Sequence, residues 1–334
     1  TDARFRHAMD LFRQAERAPA SEAGALYERA ARDMEAAVAA NRNHAQAALA
    51  TYYVALAYER TNRFDTATQT YVRITQDFNN TRNARGQELT GDDLAQRINI
   101  LEQSNFRAGV NLERIFDYDR ALQFYNTVAT DARFATATGH DEHVHDALAA
   151  IALINTNLAR WSAARQGWQT FLPRANAGQE RAAAEYNLAQ IPYRAGNWNE
   201  ALTSLQDYLR RTAVTGDAAQ YRVQAQYNIA LAYRNLSNTQ QYRRALREVV
   251  TVFRASGQQP ASVAAAWAAE ALFRDLDDQV TEFRRNTFSE GDAAALTVQR
   301  DRFRVQLRAI DEAARQVVQL RGGEYSIGAL VRQG

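Results

Sequence analysis

Residues 139–147, GHDEHVHDA, hold the densest group of chemistry-bearing side chains in the chain. Three of the five histidines, His140, His143 and His145, lie there among Asp141, Glu142 and Asp146. Imidazoles and carboxylates are the donors of a transition-metal site or of a proton-transfer pair. Spacing argues against a metal. His140 and His143 are three apart and share a face if one helix holds both, whereas His145 faces elsewhere. Zinc sites also draw heavily on cysteine, and the chain has none. Asp141 and Glu142 fall where a helix N-terminus favours negative charge. The stretch therefore reads as the acidic start of a helix with solvent-facing histidines, and His140, His143 and His145 stand as the only metal candidates.

Other reaction centres are missing from the text of the chain. It has no glycine-rich phosphate loop, GxSxG, HExxH or calcium-loop pattern. Without cysteine there is no thiol nucleophile and no disulfide framework. The carboxylate pair Asp277-Asp278 reads as the solvated face of a helix. No enzyme and no cofactor are expected.

The elements that carry these side chains should be helices. The 334 residues are 46% hydrophobic and 23% charged, as in globular proteins. Only 15 glycines and 4 prolines interrupt them, so helix is favoured nearly everywhere. All 40 basic residues are arginine, yet the net charge is only +2; that is not the basic field of a nucleic-acid binder. No run approaches the ~18 apolar residues of a membrane span.

One spacing recurs: an aromatic, an alanine three on, a bulky residue four further, and an apolar residue three beyond. It occurs as Tyr27-Ala30-Met34-Ala37, Phe64-Ala67-Tyr71-Ile74 and Tyr118-Ala121-Tyr125-Val128. It returns as Trp161-Ala164-Trp168-Phe171, Trp198-Ala201-Leu205-Tyr208 and Tyr242-Ala245-Val249-Val252. Steps of three and four place these side chains on one helical face. The alanine admits a second helix and the large residues fill the space beside it. Ahead of these segments lie YYVALAYERTNRF (52–64), YNLAQIPYRAGNW (186–198) and YNIALAYRNLSN (227–238), each with an apolar-alanine pair and a tyrosine near the helix end.

This pattern resembles the tetratricopeptide repeat, a helix-turn-helix unit of about 34 residues. NLAQIPYRAGNWNEAL (187–202) matches it best, with Gly196 at the turn, and the resemblance runs from Leu26 to Phe253. It implies an all-α solenoid, a right-handed superhelix of helix pairs. The key alanines 30, 67, 121, 164, 201 and 245 are 37, 54, 43, 37 and 44 residues apart, so extra residues sit between units. Residues 79–93, 130–143 and 255–262 read as loops, and Pro192 should kink or end its helix.

Two regions are expected: an irregular repeat array over 1–255 and a long helical hairpin over 262–334, packed on the solenoid or extending it. In the second, Leu296, Phe303, Leu307, Ile310, Ala314 and Val317 fall at heptad spacing and should pack along a 263–287 helix. Gly322-Gly323 should stop the long helix. FRDLDDQVTEFRRNTF (273–288) and AIDEAARQVVQLRGGEYSIGALVRQG (309–334) resemble the large cell-envelope tetratricopeptide proteins of myxobacteria, among them gliding-motility components. That resemblance implies a periplasmic or outer-membrane-associated scaffold; the cytoplasm is the alternative.

In tetratricopeptide arrays the first helix of each pair lines the concave wall. The family's groove positions fall on Tyr52, Phe106, Tyr186 and Tyr227, interrupted by Ala149. One to two turns on come Arg60, Arg114, Arg194 and, one place earlier in its unit, Arg234; Asn187 and Asn228 flank the tyrosines. Such a stripe suits a protein or peptide partner, with guanidinium forks gripping carboxylates. Alternatively the aromatics pack between helices and the arginines pair with neighbours such as Glu59 and Glu113.

Overall fold

A computed structural model describes residues 2–333 except 84 and 288. Phe288 and Gly334, which end the two stretches of envelope-protein resemblance, lie outside the described residues. Among those described, the chain forms fifteen α-helices, two short 3-10 helices and no strand. A lone bridge joins Arg82 and Glu88. The fold is an all-α solenoid of helical hairpins.

Two compact units result, Thr1–Leu158 and Ala159–Gly334. The first holds α1 (Asp2–Arg17), α2 (Ala20–Ala40), α3 (Ala47–Arg60), α4 (Phe64–Asp77), α5 (Gly91–Arg114), α6 (Tyr118–Thr130) and α7 (His140–Asn157). The second holds α8 (Trp161–Phe171), α9 (Gln179–Arg194), α10 (Trp198–Arg211), α11 (Ala219–Asn235), α12 (Thr239–Ala255), α13 (Val263–Arg285), α14 (Ala293–Gln319) and α15 (Glu324–Gln333). Within each unit a helix packs on its chain neighbours. Odd-numbered helices also touch the next odd one: α3 meets α5, and α9 meets α11. This is the nearest-neighbour architecture of a repeat stack.

A turn joins α12 to α13. Ala264, Ala265, Ala268 and Ala271 of α13 join one core with Tyr227, Val249 and Phe253. Small residues let α13 lie close to α11 and α12, so it packs on the array and extends it.

The alanine spacing sets the packing. Ala30, Ala67, Ala121, Ala164 and Ala201 are fully buried and Ala245 is 5% exposed. The turns inside the hairpins share one chemistry. Asn62, Phe116, Gly196 and Ser237 all have positive φ. Beside them Arg63 N donates to Tyr58 O (2.8 Å), and Asp117 N to Leu112 O, Asn197 N to Pro192 O and Asn238 N to Tyr233 O (each 2.9 Å). Each bond caps orphan carbonyls at the end of the first helix in the Schellman manner. Only one of the four residues is glycine, although the left-handed region costs other residues roughly 1 kcal/mol. Pro192 does not end α9, which runs to Arg194; it lies in the last turn, where its carbonyl closes the motif.

The heptad stripe of α14 is half used. Ile310, Ala314 and Val317 are buried with Leu276, Val280 and Ala329. Leu296 and Leu307 remain 40% and 50% exposed, and Phe303 meets the edge of Phe283. The covering elements explain this: α13 stops at Arg285 and the short α15 packs near the far end of α14. Gly322 sits against Ala269 with no room for a Cβ.

The long insertion between α4 and α5 is braced. Asn83 N donates to Gln87 O (2.9 Å) and Leu89 N to Thr81 O (2.7 Å). Arg82 Nε meets Glu88 Oε1 at 2.6 Å. At its base Arg133 joins Asp131 (2.6 Å) and the Asn79 carbonyl (2.8 Å). The hydrogen bond from Arg82, helped by Thr81, holds the Glu88 carboxyl below its usual range, and Arg133 does the same for Asp131.

Two measurements check these contacts. Carboxyls lowered on folding stabilise the structure above their unfolded pKa, and that contribution goes as the pH falls through the folded value. Hydrogen-exchange protection of the Gln87 and Leu89 amides, corrected for intrinsic rates, should hold from about pH 7 to 5 and fall below about pH 4. In α4, Ala67→Leu should destabilise by about 1–3 kcal/mol in urea unfolding. The exposed Ala36→Leu should stay within about 0.5 kcal/mol.

Candidate partner-binding surface

The aromatic half of the sequence-derived stripe faces the next hairpin, not a partner. Tyr52 is 7% exposed, and Tyr186 and Tyr227 are 2% exposed. Each uses its hydroxyl across the joint between successive first helices. Tyr52 Oη donates to Gln103 of α5. Asn228 Nδ2 of α11 donates to Tyr186 Oη at 2.8 Å, and Arg274 Nε of α13 donates to Tyr227 Oη at 2.8 Å. Burial pushes the Tyr186 and Tyr227 hydroxyls above the ordinary tyrosine value. Phe106 stacks on His143 with centroids 4.4 Å apart. In this structure these four aromatics and Asn228 pack between hairpins, Phe106 only half-buried; half-buried Asn187 accepts from Gln190.

A second tyrosine system locks two hairpins of the first unit internally. Tyr71 Oη of α4 donates to Glu59 Oε2 at 2.9 Å, and Tyr125 Oη of α6 to Glu113 Oε2 at 2.7 Å. Both pairs lie twelve residues apart. Arg107 Nη1 donates to the other oxygen of Glu59 at 3.0 Å. Glu59 and Glu113 thus serve tyrosines and Arg107, not Arg60 and Arg114.

The arginine half of the stripe is exposed. Arg60, Arg114, Arg194 and Arg234 sit at or near the ends of α3, α5, α9 and α11. None of the four makes an ion pair with a described carboxylate. Arg114 lies over the Phe64 ring at 5.0 Å and Arg194 over Trp161 at 5.8 Å. In both cases the arginine ending one first helix covers the aromatic that opens the preceding second helix. A guanidinium stacked this way is oriented while its hydrogen-bonding edge stays free.

The histidines turn inward. Helix α7 begins at His140, so His140 and His143 share a face, and both meet Glu102 of α5. His143 Nδ1 is 2.8 Å from Glu102 Oε2 and His140 Nδ1 is 3.4 Å from Oε1. Glu102 has no exposed surface, and the two histidine side chains are only 18% and 23% exposed. They are not solvent-facing: a buried carboxylate requires such partners. His145 pairs instead with Asp146 at 3.0 Å. Among the described residues no group of three His, Asp or Glu side chains is arranged to hold a metal ion. A sequence signal for Glu102 did exist. It stands four residues before Phe106, where the other units have Ala48, His145, Ala182 and Val223, so it is the one acid in a column that is apolar in three units.

With this geometry, the tetratricopeptide-repeat family matches residues 224–256, which cover most of α11 and all of α12. That hairpin is similar to a tetratricopeptide repeat. The C-terminal part of a tetratricopeptide repeat-containing protein from Cytophaga hutchinsonii is similar at 14% identity, over 98% of this chain and 99% of that one, with a TM-score of 0.45. A tetratricopeptide repeat protein from Parabacteroides merdae is similar at 12% identity, over 91% and 98%, with a TM-score of 0.39. A Rap protein complexed with competence and sporulation factor is similar at 15% identity, over 99% and 96%, with a TM-score of 0.34. At these scores the structural likenesses carry no functional argument. Comparison with curated proteins finds no match. No described helix is long and apolar enough to cross a membrane.

The tetratricopeptide hairpin supplies one test of the tyrosine assignment. Tyr186→Phe leaves the buried Asn228 amide without its acceptor and should cost about 1–3 kcal/mol in chemical unfolding. Partner capture at temperatures where the variant is folded should not change; a selective loss of capture would return Tyr186 to the binding surface.

Proposed function

We propose that the chain is a non-enzymatic scaffold that holds a segment of a partner protein. Tetratricopeptide proteins bind protein or peptide partners, and the observation that carries the reading here is the row of exposed, ion-pair-free arginines. Within the first unit Arg60 and Arg114 end α3 and α5, which touch; within the second Arg194 and Arg234 lie at the ends of α9 and α11, which also touch. Each pair presents guanidinium forks at a spacing set by the stack, suited to carboxylates along a bound segment. We also propose a setting, a bacterial cell-envelope assembly such as a gliding-motility complex. Its support is the sequence resemblance of 273–288 and 309–334.

A second reading has its own observation. Val298 and Val305 on α14, and Ile327 and Val331 on α15, are each 65–68% exposed. Isolated apolar side chains are ordinary at surfaces, but several exposed on two adjacent helices suit a structural subunit that buries them in a larger assembly.

A pull-down from fractionated native cells separates the readings. The variant R60Q/R114Q/R194Q/R234Q should retain its helical circular dichroism and lose partner capture about tenfold or more, with a weaker salt dependence than the parent. Capture unchanged in that variant but lost in Ile327→Ser/Val331→Ser would favour the structural subunit. Recovery of the chain from the cytoplasmic fraction alone would remove the envelope setting.

A further inference from the structure

We infer that the inserted segment between α4 and α5 builds a second binding site, a cleft in the first unit that takes an acidic segment of a partner protein carrying apolar side chains. The inference rests on the scaffold reading and adds a place and a chemistry distinct from the arginine row. The cleft has a volume of about 840 Å³ and is walled by the end of α2, the flank of α3, the end of α4, the inserted loop and the first turns of α5. That volume is in the range of ligand-binding clefts, and its width accepts several residues of extended chain.

Its charges are the reason for the assignment. Arg42 after α2, Arg73 on α4 and Arg85 on the loop converge on the cleft from three separate elements. None of the three guanidinium groups makes an ion pair or side-chain hydrogen bond with a described residue. Other arginines of the same unit are ion-paired, Arg32 with Glu28, Arg107 with Glu59, Arg120 with Asp117 and Arg133 with Asp131, and the unpaired Arg60 and Arg114 lie outside the cleft lining. A solvated helix face gives free arginines in one row; free guanidiniums on three elements facing one volume make a receptor for carboxylates.

The site is preorganised. Arg97, also in the wall, is committed to structure: its Nη1 donates to the Asn80 carbonyl at 3.0 Å and the Phe78 carbonyl at 3.3 Å. Its guanidinium also lies over the Phe78 ring at 5.3 Å. Burial lowers the pKa of this guanidinium from the usual arginine value, a cost set against the two carbonyl bonds. Together with Arg82–Glu88 and Arg133–Asn79, it pins the loop that carries Arg85. Little ordering of the wall is then left to oppose binding.

Two further features select the occupant. Val38, Val54, Phe78, Leu89 and Ile100 line the same cleft, so it offers apolar contact as well as charge, which suits a polypeptide. Glu35, Asp77 and Asp93 stand among the arginines in the wall and oppose the dense, regular charge of a phosphate backbone. A net charge of +2 on the whole chain adds no field that would draw in a nucleic acid.

The test uses the full chain and a fluorescein-labelled peptide of the sequence Glu-Leu-Glu-Glu-Leu-Glu, read by fluorescence anisotropy. The parent should bind it saturably, weaken as salt is raised, and ignore the charge-reversed peptide with arginine in place of glutamate. Arg42→Gln/Arg73→Gln should weaken binding about tenfold or more while keeping the parent's circular dichroism and melting temperature, because neither side chain is buried or paired. Arg73→Lys in the Arg42 parent should retain most of it. Arg60→Gln/Arg114→Gln should bind this peptide as the parent does. Absence of saturable binding, equal binding by the Arg42/Arg73 variant, or tighter binding of a single-stranded RNA of similar length would each overturn the cleft assignment. Native partner capture that persists through any of these and fails only in the four-arginine variant would leave the scaffold reading standing without the cleft.

Discussion

Close approach of helices at the buried alanines governs everything else in each unit. Ala67 and Ala121 leave no surface to solvent, and a larger side chain there would hold the paired helix away. Because the backbones come so near, Tyr71 and Tyr125 are driven into the joint with their hydroxyls. Burial of a hydroxyl without a partner is costly, so each finds the glutamate near the end of its own first helix, Glu59 or Glu113. The notch and the hydroxyl bond thus specify the same register. Apolar burial brings the helices together and the polar pairs choose how they lie.

The same logic decides what is free to bind. A side chain on the flank of a first helix is swallowed by the next first helix, as Tyr52, Tyr186 and Tyr227 are. One at the helix end lies beyond the joint, as Arg60, Arg114, Arg194 and Arg234 do. Stacking of Arg114 and Arg194 over aromatic rings fixes their direction without consuming their hydrogen-bonding edges. Binding capacity in this fold therefore collects at helix ends and loops while the helix flanks serve stability.

What the sequence made legible follows from periodicity. The second helices are one-sided, so steps of three and four from each alanine located their buried faces. First helices such as α3 and α11 carry apolar residues nearly all round, and a period with no polar side has no direction. Whether Tyr186 faced solvent or a neighbour could not be read for that reason. Turn chemistry was hidden differently: Phe116 and Ser237 take a left-handed conformation normally signalled by glycine, because the capping bonds of the Schellman turn outweigh the strain. Glu102 was visible as the one acid in a largely apolar column, but its histidine partners lie on α7, about forty residues away in the chain, beyond the reach of local spacing. On α14 the heptad pattern was real, but the pattern does not state how long the covering helix is.

Departures from the repeat are where charge balance changes. In the regular hairpins of the first unit, carboxylates in the joints are consumed by neighbours: Glu59 alone engages Tyr71 and Arg107. The insertion after α4 has no counterpart in the other hairpins, so its surface is not answered by a facing repeat element. It closes on itself through Arg82 and Glu88, borrows Arg97 and Arg133 to hold its base, and brings Arg85 to the cleft that Arg42 and Arg73 also line. A repeat stack can carry such an insertion because each hairpin depends mainly on its neighbours. The lengthened interval between Ala67 and Ala121 is thus compatible with an intact core and, at the same time, is the feature that gives this unit a concave charged surface of its own.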